Sequence, residues 1–127
     1  MEELLDEVER TMKNELARAN KKNPLFNSLY QAYGVLAEEI DEARESFKYT
    51  EEAFDKFFMC MRKDHYRSAR EYLEDIRAGA IDCAAEAVQV AAMTQKAMDS
   101  INAILKCAYC YHKEMLIGGL GKYEKVH

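Results

Sequence analysis

The chain has 127 residues, 49% of them apolar and 32% charged, with a formal net charge of −5. That is one domain's worth of chain, and its composition is neither that of a disordered segment nor that of a membrane-embedded one. One proline, five glycines and no tryptophan leave too few turn formers for an all-β fold, whose short strands need a turn about every ten residues. Alanine, glutamate, lysine, leucine and methionine favour helix, so an all-α fold is expected. No run of lysine or arginine exceeds Lys21-Lys22 or Arg62-Lys63, which gives no basic face for the phosphates of a nucleic-acid duplex. Met1–Glu7 is acidic and lacks the apolar stretch of a secretory signal. Ala84–Met93, the longest nearly apolar segment, is interrupted by Glu86 and Gln89 and is too short to span a bilayer. A cytoplasmic protein without membrane contact is the expectation.

In chain order, Leu5, Val8, Met12 and Leu16 recur three and four apart, which predicts a first helix over about Glu2–Ala19. Asn23-Pro24 reads as a cap and first helical position. The helix it opens, to about Lys48, carries Leu29, Tyr33, Leu36, Ile40, Ala43 and Phe47 as the seam of a bundle. Thr50 before Glu51-Glu52 reads as a new N-cap, starting a shorter helix to about Arg62 with Phe54, Phe57, Phe58 and Met61. From Asp64 a long helical pattern runs past Met98, with a bend expected at Gly79 and a restart near Ser100 leading to Leu116. The expected architecture is an antiparallel bundle of four to five helices in a single domain, residues 1–127. It divides into an N-terminal helix (1–20), a bundle core (24–116) and a loose tail (117–127).

The four cysteines are Cys60, Cys83, Cys107 and Cys110. In a reducing compartment they are expected to be thiols. Cys107-x-x-Cys110 with His112 is half of a zinc site without a second pair of ligands. Helix-packing residues and a semi-exposed pair are the simpler reading.

Two segments carry candidate chemistry. In Glu38-Glu39-Ile40-Asp41-Glu42, helical steps of about 100° put Glu39 on the flank of the apolar seam with Glu42 beside it, and Glu38 and Glu45 further out. By itself this is an ordinary solvated face. The second segment, Ala80–Met93, is small or apolar nearly all round, the mark of a central helix. Its only strongly polar residues, Asp82, Glu86 and Gln89, share one stripe. A carboxylate there needs a cation or hydrogen-bond donors, and no lysine or arginine lies between Arg77 and Lys96. Compensation comes either from a neighbouring helix, through Arg44 or Lys48, or from a metal. Hard oxygen ligands without histidine favour Mg²⁺, or Mn²⁺, over zinc. A magnesium ion in such a cluster can clamp a triphosphate for hydrolysis.

Tyr33-Gly34-Val35-Leu36-Ala37-Glu38-Glu39-Ile40-Asp41-Glu42, followed by Ala85-Glu86-Ala87-Val88-Gln89, resembles the all-α MazG-like nucleotide pyrophosphohydrolases. Their pattern is E-E-x-x-E on one helix and E-x-x-D on the next, over roughly residues 28 to 100 here. The resemblance implies a magnesium-dependent hydrolase that splits a nucleoside triphosphate into monophosphate and pyrophosphate, as a homodimer or homotetramer. It places the first motif on Glu38, Glu39 and Glu42 and the second on Glu86 and Gln89. Gln89 stands where the family has aspartate, with Asp82 one turn earlier as a possible substitute ligand. The segment Thr50–Asp75 is longer than the family's connection. The glutamine variant is similar to small MazG-like proteins commonly encoded by bacteriophages. Lys21, Lys22, Tyr30 and Tyr33 are candidates for a wall that holds the nucleotide. Two other readings stand beside the enzyme: a catalytically degraded member that binds a nucleotide or inhibits a host protein, and a plain helical scaffold. Excess apolar surface on the Phe54–Met61 segment suggests self-association.

Overall fold

The chain folds as helices because its apolar residues recur at helical spacing and nothing in the long runs interrupts them. A computed structural model describes residues 1–117. It contains three α-helices, α1 (Glu2–Ala19), α2 (Leu29–Arg62) and α3 (Tyr66–Ile117), and no strand among the described residues. The all-α expectation holds, and α1 has the bounds read from the sequence. The tail from 118 onward lies outside the described residues.

Three helices replace the expected four to five because several apparent start signals are spent otherwise. Asn23-Pro24 lies in the α1–α2 connection, and the N-cap of α2 is Ser28, whose hydroxyl accepts from the Gln31 N–H at 3.1 Å. The Gln31 side chain reaches back to accept from the Asn27 N–H at 2.7 Å, a variant of the reciprocal capping box. Thr50 does not cap a new helix: its hydroxyl donates to the Ser46 carbonyl one turn back, at 3.0 Å, inside a continuous α2. Ser100 likewise donates to the Lys96 carbonyl at 2.8 Å within an unbroken α3. Its oxygen also accepts from the Phe26 N–H at 2.9 Å, tying the α1–α2 connection to α3. No break occurs at Gly79.

α2 and α3 form a long antiparallel hairpin closed by Lys63–His65. The His65 N–H reaches the Cys60 carbonyl at 2.9 Å and the Asp64 N–H the Met61 carbonyl at 3.2 Å. Asp64 takes φ 55 between them, the left-handed geometry that ends many helices. The segment Thr50–Asp75 forms the distal arms of the hairpin.

The face that α3 turns to α2 recurs at three and four: Gly79, Cys83, Glu86, Val90, Met93 and Ala97 are all buried or half-buried. On α2 the answering residues are Ala32, Glu39, Ala43, Ser46, Thr50 and Ala53. This corrects the expected seam of α2. Leu29, Tyr33, Ile40 and Phe47 are 50%, 76%, 42% and 55% exposed, on a face about 90° round the helix from the packed one. Small residues, which allow close backbone approach, win the interhelix position over bulky ones. The buried apolar side chains are Ala32, Ala53, Ala69, Ala92, Met93 and Ala97, and no large side chain is completely buried among the described residues.

α1 packs mainly on α3, at the end of the hairpin distal to its turn. Phe26, in the connection, lies under the Lys96 ammonium, 4.8 Å from ring centre to nitrogen, a cation–π contact between the connection and α3.

α2 and α3 approach each other closely at Gly79. A Cβ there would strike the Thr50 hydroxyl and lie 3.1 Å from Tyr49 Cδ1 and 3.3 Å from Thr50 Cβ. Gly79→Ala should gain up to about 1 kcal/mol of helix propensity and lose roughly 1–3 kcal/mol to overpacking. The expected outcome is a net loss, read as a lower midpoint in urea unfolding. A midpoint that rises would show that the two helices are not held at this distance.

Candidate functional site

The register of the hairpin places the carboxylates. The Cys83 thiol lies 3.7 Å from the Ala43 carbonyl, so Glu86, one turn further along α3, comes level with the turn of α2 that bears Glu39 and Glu42. One carboxylate oxygen from each of Glu39, Glu42 and Glu86 falls within 4.8 Å of the other two. Glu39 and Glu86 are half-buried between the helices, and Glu42 is exposed at the rim.

No cation meets them from the protein. Among the described residues the ion pairs are Arg18–Glu15, Arg44–Asp41 and Arg70–Glu74. Arg44, one of the two candidates for neutralising Glu86, is turned to Asp41 at 3.2 Å on the outer surface. Lys48 makes no ion pair with the cluster. The crowding instead shifts the titration of two of the three upward. Glu86 has its pKa raised, first by a hydrogen bond with Glu42, then by partial burial and by the charges of Glu42, Glu39 and Asp82. The Glu39 pKa is raised by desolvation, then by the charges of Glu42 and Glu38. A hydrogen bond between two carboxyl groups requires that one of them be protonated.

The remaining sequence-predicted residues lie around this triad. Glu38 is exposed on α2 and acts on Glu39 through its charge. Asp82 is exposed one turn before Glu86 and lies outside the triad. It faces a shallow depression that it shares with Glu45, Ser46, Tyr49, Ala78 and Gly79. Gln89 is turned to α1, where its amide donates to the Glu15 carboxylate at 2.8 Å. Glu15 in turn pairs with Arg18 at 2.9 Å. Neither Asp82 nor Gln89 joins the three converging carboxylates. Lys21, Lys22, Tyr30 and Tyr33 are exposed. Tyr33 lies on the outer side of α2, beside Leu36, Ile40 and Arg44, and so forms no wall for the cluster. Cys107 is a free, exposed thiol, and the side chains of Cys110 and His112 lie outside the described residues.

Sequence reasoning missed two participants. Glu15 is an ordinary acidic residue on an amphipathic helix, and nothing in its neighbourhood marks it as the partner of Gln89. Tyr49 sits beside Asp75, whose charge and hydrogen bond raise the pKa of the phenol, with a further push from Asp82. Its position follows from the register of the hairpin, which a single sequence does not fix.

The raised pKa values give a pH dependence of defined sign. A carboxyl group whose pKa is higher in the folded state binds more protons folded than unfolded, so its contribution to stability falls as pH rises through the folded value. In chelator, the triad should therefore weaken the fold at neutral pH and cease to do so as pH drops into the ordinary carboxylate range. Glu86→Gln should raise the melting temperature in chelator at pH 7 and lose that advantage near pH 4. A variant that melts below the parent at pH 7 in chelator would contradict the repulsive cluster. Compared with protein-family models, curated proteins and solved structures, the chain finds no match, so the reading of this site rests on its own residues.

Proposed function

We propose that the chain is a MazG-like, Mg²⁺-dependent nucleoside triphosphate pyrophosphohydrolase, with Mn²⁺ as an alternative ion, acting as a homodimer or homotetramer. The observation that carries this reading is the convergence of Glu39, Glu42 and Glu86 from two helices with no protein cation in reach. The donor set fits a hard divalent ion. It is all carboxylate, it lacks histidine and thiol, and its protonation equilibria are already displaced by mutual repulsion. Glu39, Glu42 and Glu86 would hold the ion. When bound, such an ion supplies the positive charge that draws in a triphosphate and makes its phosphorus more open to attack. Glu38, next to the triad and outside it, is the carboxylate left to accept a proton from an attacking water. Three converging carboxylates repel a free triphosphate, so substrate affinity should depend on the cation throughout.

A second reading is favoured by Gln89. Its amide is held by Glu15 and brings no charge to the triad, and Asp82 stays outside it. On this reading the chain keeps the cation and binds a nucleotide or a host protein without turnover, as a phage-encoded inhibitor would.

Purified protein with millimolar Mg²⁺ should release pyrophosphate from at least one member of a panel of ribo- and deoxyribonucleoside triphosphates. Glu86→Gln should reduce the rate by roughly 100-fold or more, since the loss even of a supporting residue costs about 10–100-fold in such sites. No turnover on the whole panel, with Mg²⁺ or Mn²⁺, removes the hydrolase reading. Binding by the folded state alone stabilises it by about 2.7 kcal/mol at one hundred times Kd. A melting temperature that rises with Mg²⁺, and with Mg²⁺ plus nucleotide, in the absence of turnover supports the binding reading. Unchanged melting under both conditions leaves a helical scaffold.

A further inference from the structure

α2 carries a second stripe besides the one packed on α3. Tyr33, Ile40, Phe47, Phe54 and Met61 repeat every seven residues and are 76%, 42%, 55%, 58% and 50% exposed. At about 100° per residue they lie roughly 90° round the helix from the residues that face α3. On α3, Leu73, Ala80, Ala84, Ala87 and Ala91 are exposed and lie roughly 90° round from its own α2-facing seam, in the same rotational sense. Because α3 runs back against α2, equal rotation on the two helices brings both stripes to one broad side of the hairpin. The other broad side holds α1 and the α1–α2 connection, whose partners on α3, Gln89 and Ser100, rotate the opposite way, together with Glu42 and Asp82.

From this juxtaposition we propose that the apolar side of the α2–α3 hairpin is covered by a second copy of this chain, the aromatic stripe of α2 lying against the alanine stripe of α3 in the partner.

The area calls for it. A folded 14.7 kDa monomer exposes roughly 6,900 Å² by the usual scaling with mass, whereas this chain exposes 10338 Å². The difference exceeds the roughly 800 Å² that each partner contributes to a stable interface, residues 118–127 entering both figures. The side chains that usually fill a core are outside. The buried apolar set is five alanines and Met93, while Phe47, Phe54 and Ile40 face out.

The two stripes are complementary in size as well as in polarity. Ala43 lies level with Cys83 and Thr50 with Gly79, so Phe47 comes level with Ala80 and Ile40 with Ala87. A two-fold axis parallel to the hairpin stacks α2 of each copy on α3 of the other at the same level. Each large residue then meets an alanine, and the interface is isologous. A second copy supplies both stripes at matching spacing along the full length of the hairpin. The carboxylate triad opens on the other side and stays accessible. The face owes nothing to the hydrolase reading and survives its failure.

Sedimentation of the full chain at micromolar concentration should give at least twice the chain mass of 14.7 kDa. The test variant is Ala87→Arg. In a single chain Ala87 is exposed and arginine is nearly as good a helix former as alanine, so a free hairpin tolerates the change. If the face is covered, the variant drops to 14.7 kDa or loses helical circular dichroism along with the assembly, and either result supports the proposal. Ala78→Arg, exposed on the α1 side, should keep the parent mass. The proposal is overturned if the parent sediments as a monomer, or if Ala87→Arg keeps both its helicity and the parent's assembly.

Discussion

The structure depends on the close antiparallel contact of α2 with α3. Gly79 sits where any side chain would meet Thr50, and the Cys83 thiol lies against the Ala43 carbonyl. Small residues at these positions draw the helix axes together and fix their relative translation. Glu86 is opposite Glu39 and Glu42 only because of that translation. A shift by one turn, roughly 5.4 Å, would leave three unremarkable surface glutamates. The site is thus a consequence of how the backbones pack, several turns away from the carboxylates themselves.

Placing three carboxylates together opposes folding, and the hairpin limits the opposition in two ways. Glu42 remains in water at the rim, and the pKa values of Glu39 and Glu86 shift upward, the direction that lessens the charge between the helices. The neighbouring arginines do not relieve it. Arg18 and Arg44 spend their charge on Glu15 and Asp41, and a guanidinium drawn into the triad would have closed it to any other cation. Gln89 fits the same picture from the opposite direction. A neutral amide at that position can tie α3 to α1 through Glu15 at 2.8 Å, a bond that an aspartate would turn into repulsion. The residue that departs from the resembled motif is therefore one that the three-helix arrangement uses for docking α1.

Much of this was legible in the sequence. The bounds of α1, the continuous helical character of the chain and the sharing of one stripe by Asp82 and Glu86 follow from spacing alone. So does the position of Glu39 and Glu42 beside each other at the edge of a packed face. The errors have particular causes. Thr50-Glu51-Glu52 carries a good cap signature, but a threonine hydroxyl can equally bond one turn back within a helix, and spacing does not distinguish the two. The true start of α2 was marked by Ser28 and Gln31, a serine three residues ahead of a glutamine, and was outweighed by the more conspicuous Asn23-Pro24. The seam of α2 was misplaced because bulk was taken as the sign of burial. Tyr33, Ile40 and Phe47 are the most apolar line on that helix, yet of the expected seam Ala43 faces α3, in the company of Ala32, Ser46 and Ala53.

That last error is informative about the molecule. A seven-residue repeat of large apolar side chains over 34 residues of helix is a strong pattern, and the chain's own helices leave it uncovered. The alternative seam of α2, built of alanine, serine, threonine and one glutamate, can bring two helices close but removes little apolar surface from water. Since burial contributes roughly 25 cal/mol per Å², a hairpin joined mainly through alanines gains little stability by itself. The two patterns answer different needs. The small-residue seam sets the register that assembles the carboxylates, and the bulky stripe holds the apolar surface that the fold needs to bury. Their separation by about a quarter turn keeps each from disturbing the other: a side chain large enough to anchor an assembly would, if placed in the seam, force the helices apart and take Glu86 out of reach of Glu39 and Glu42.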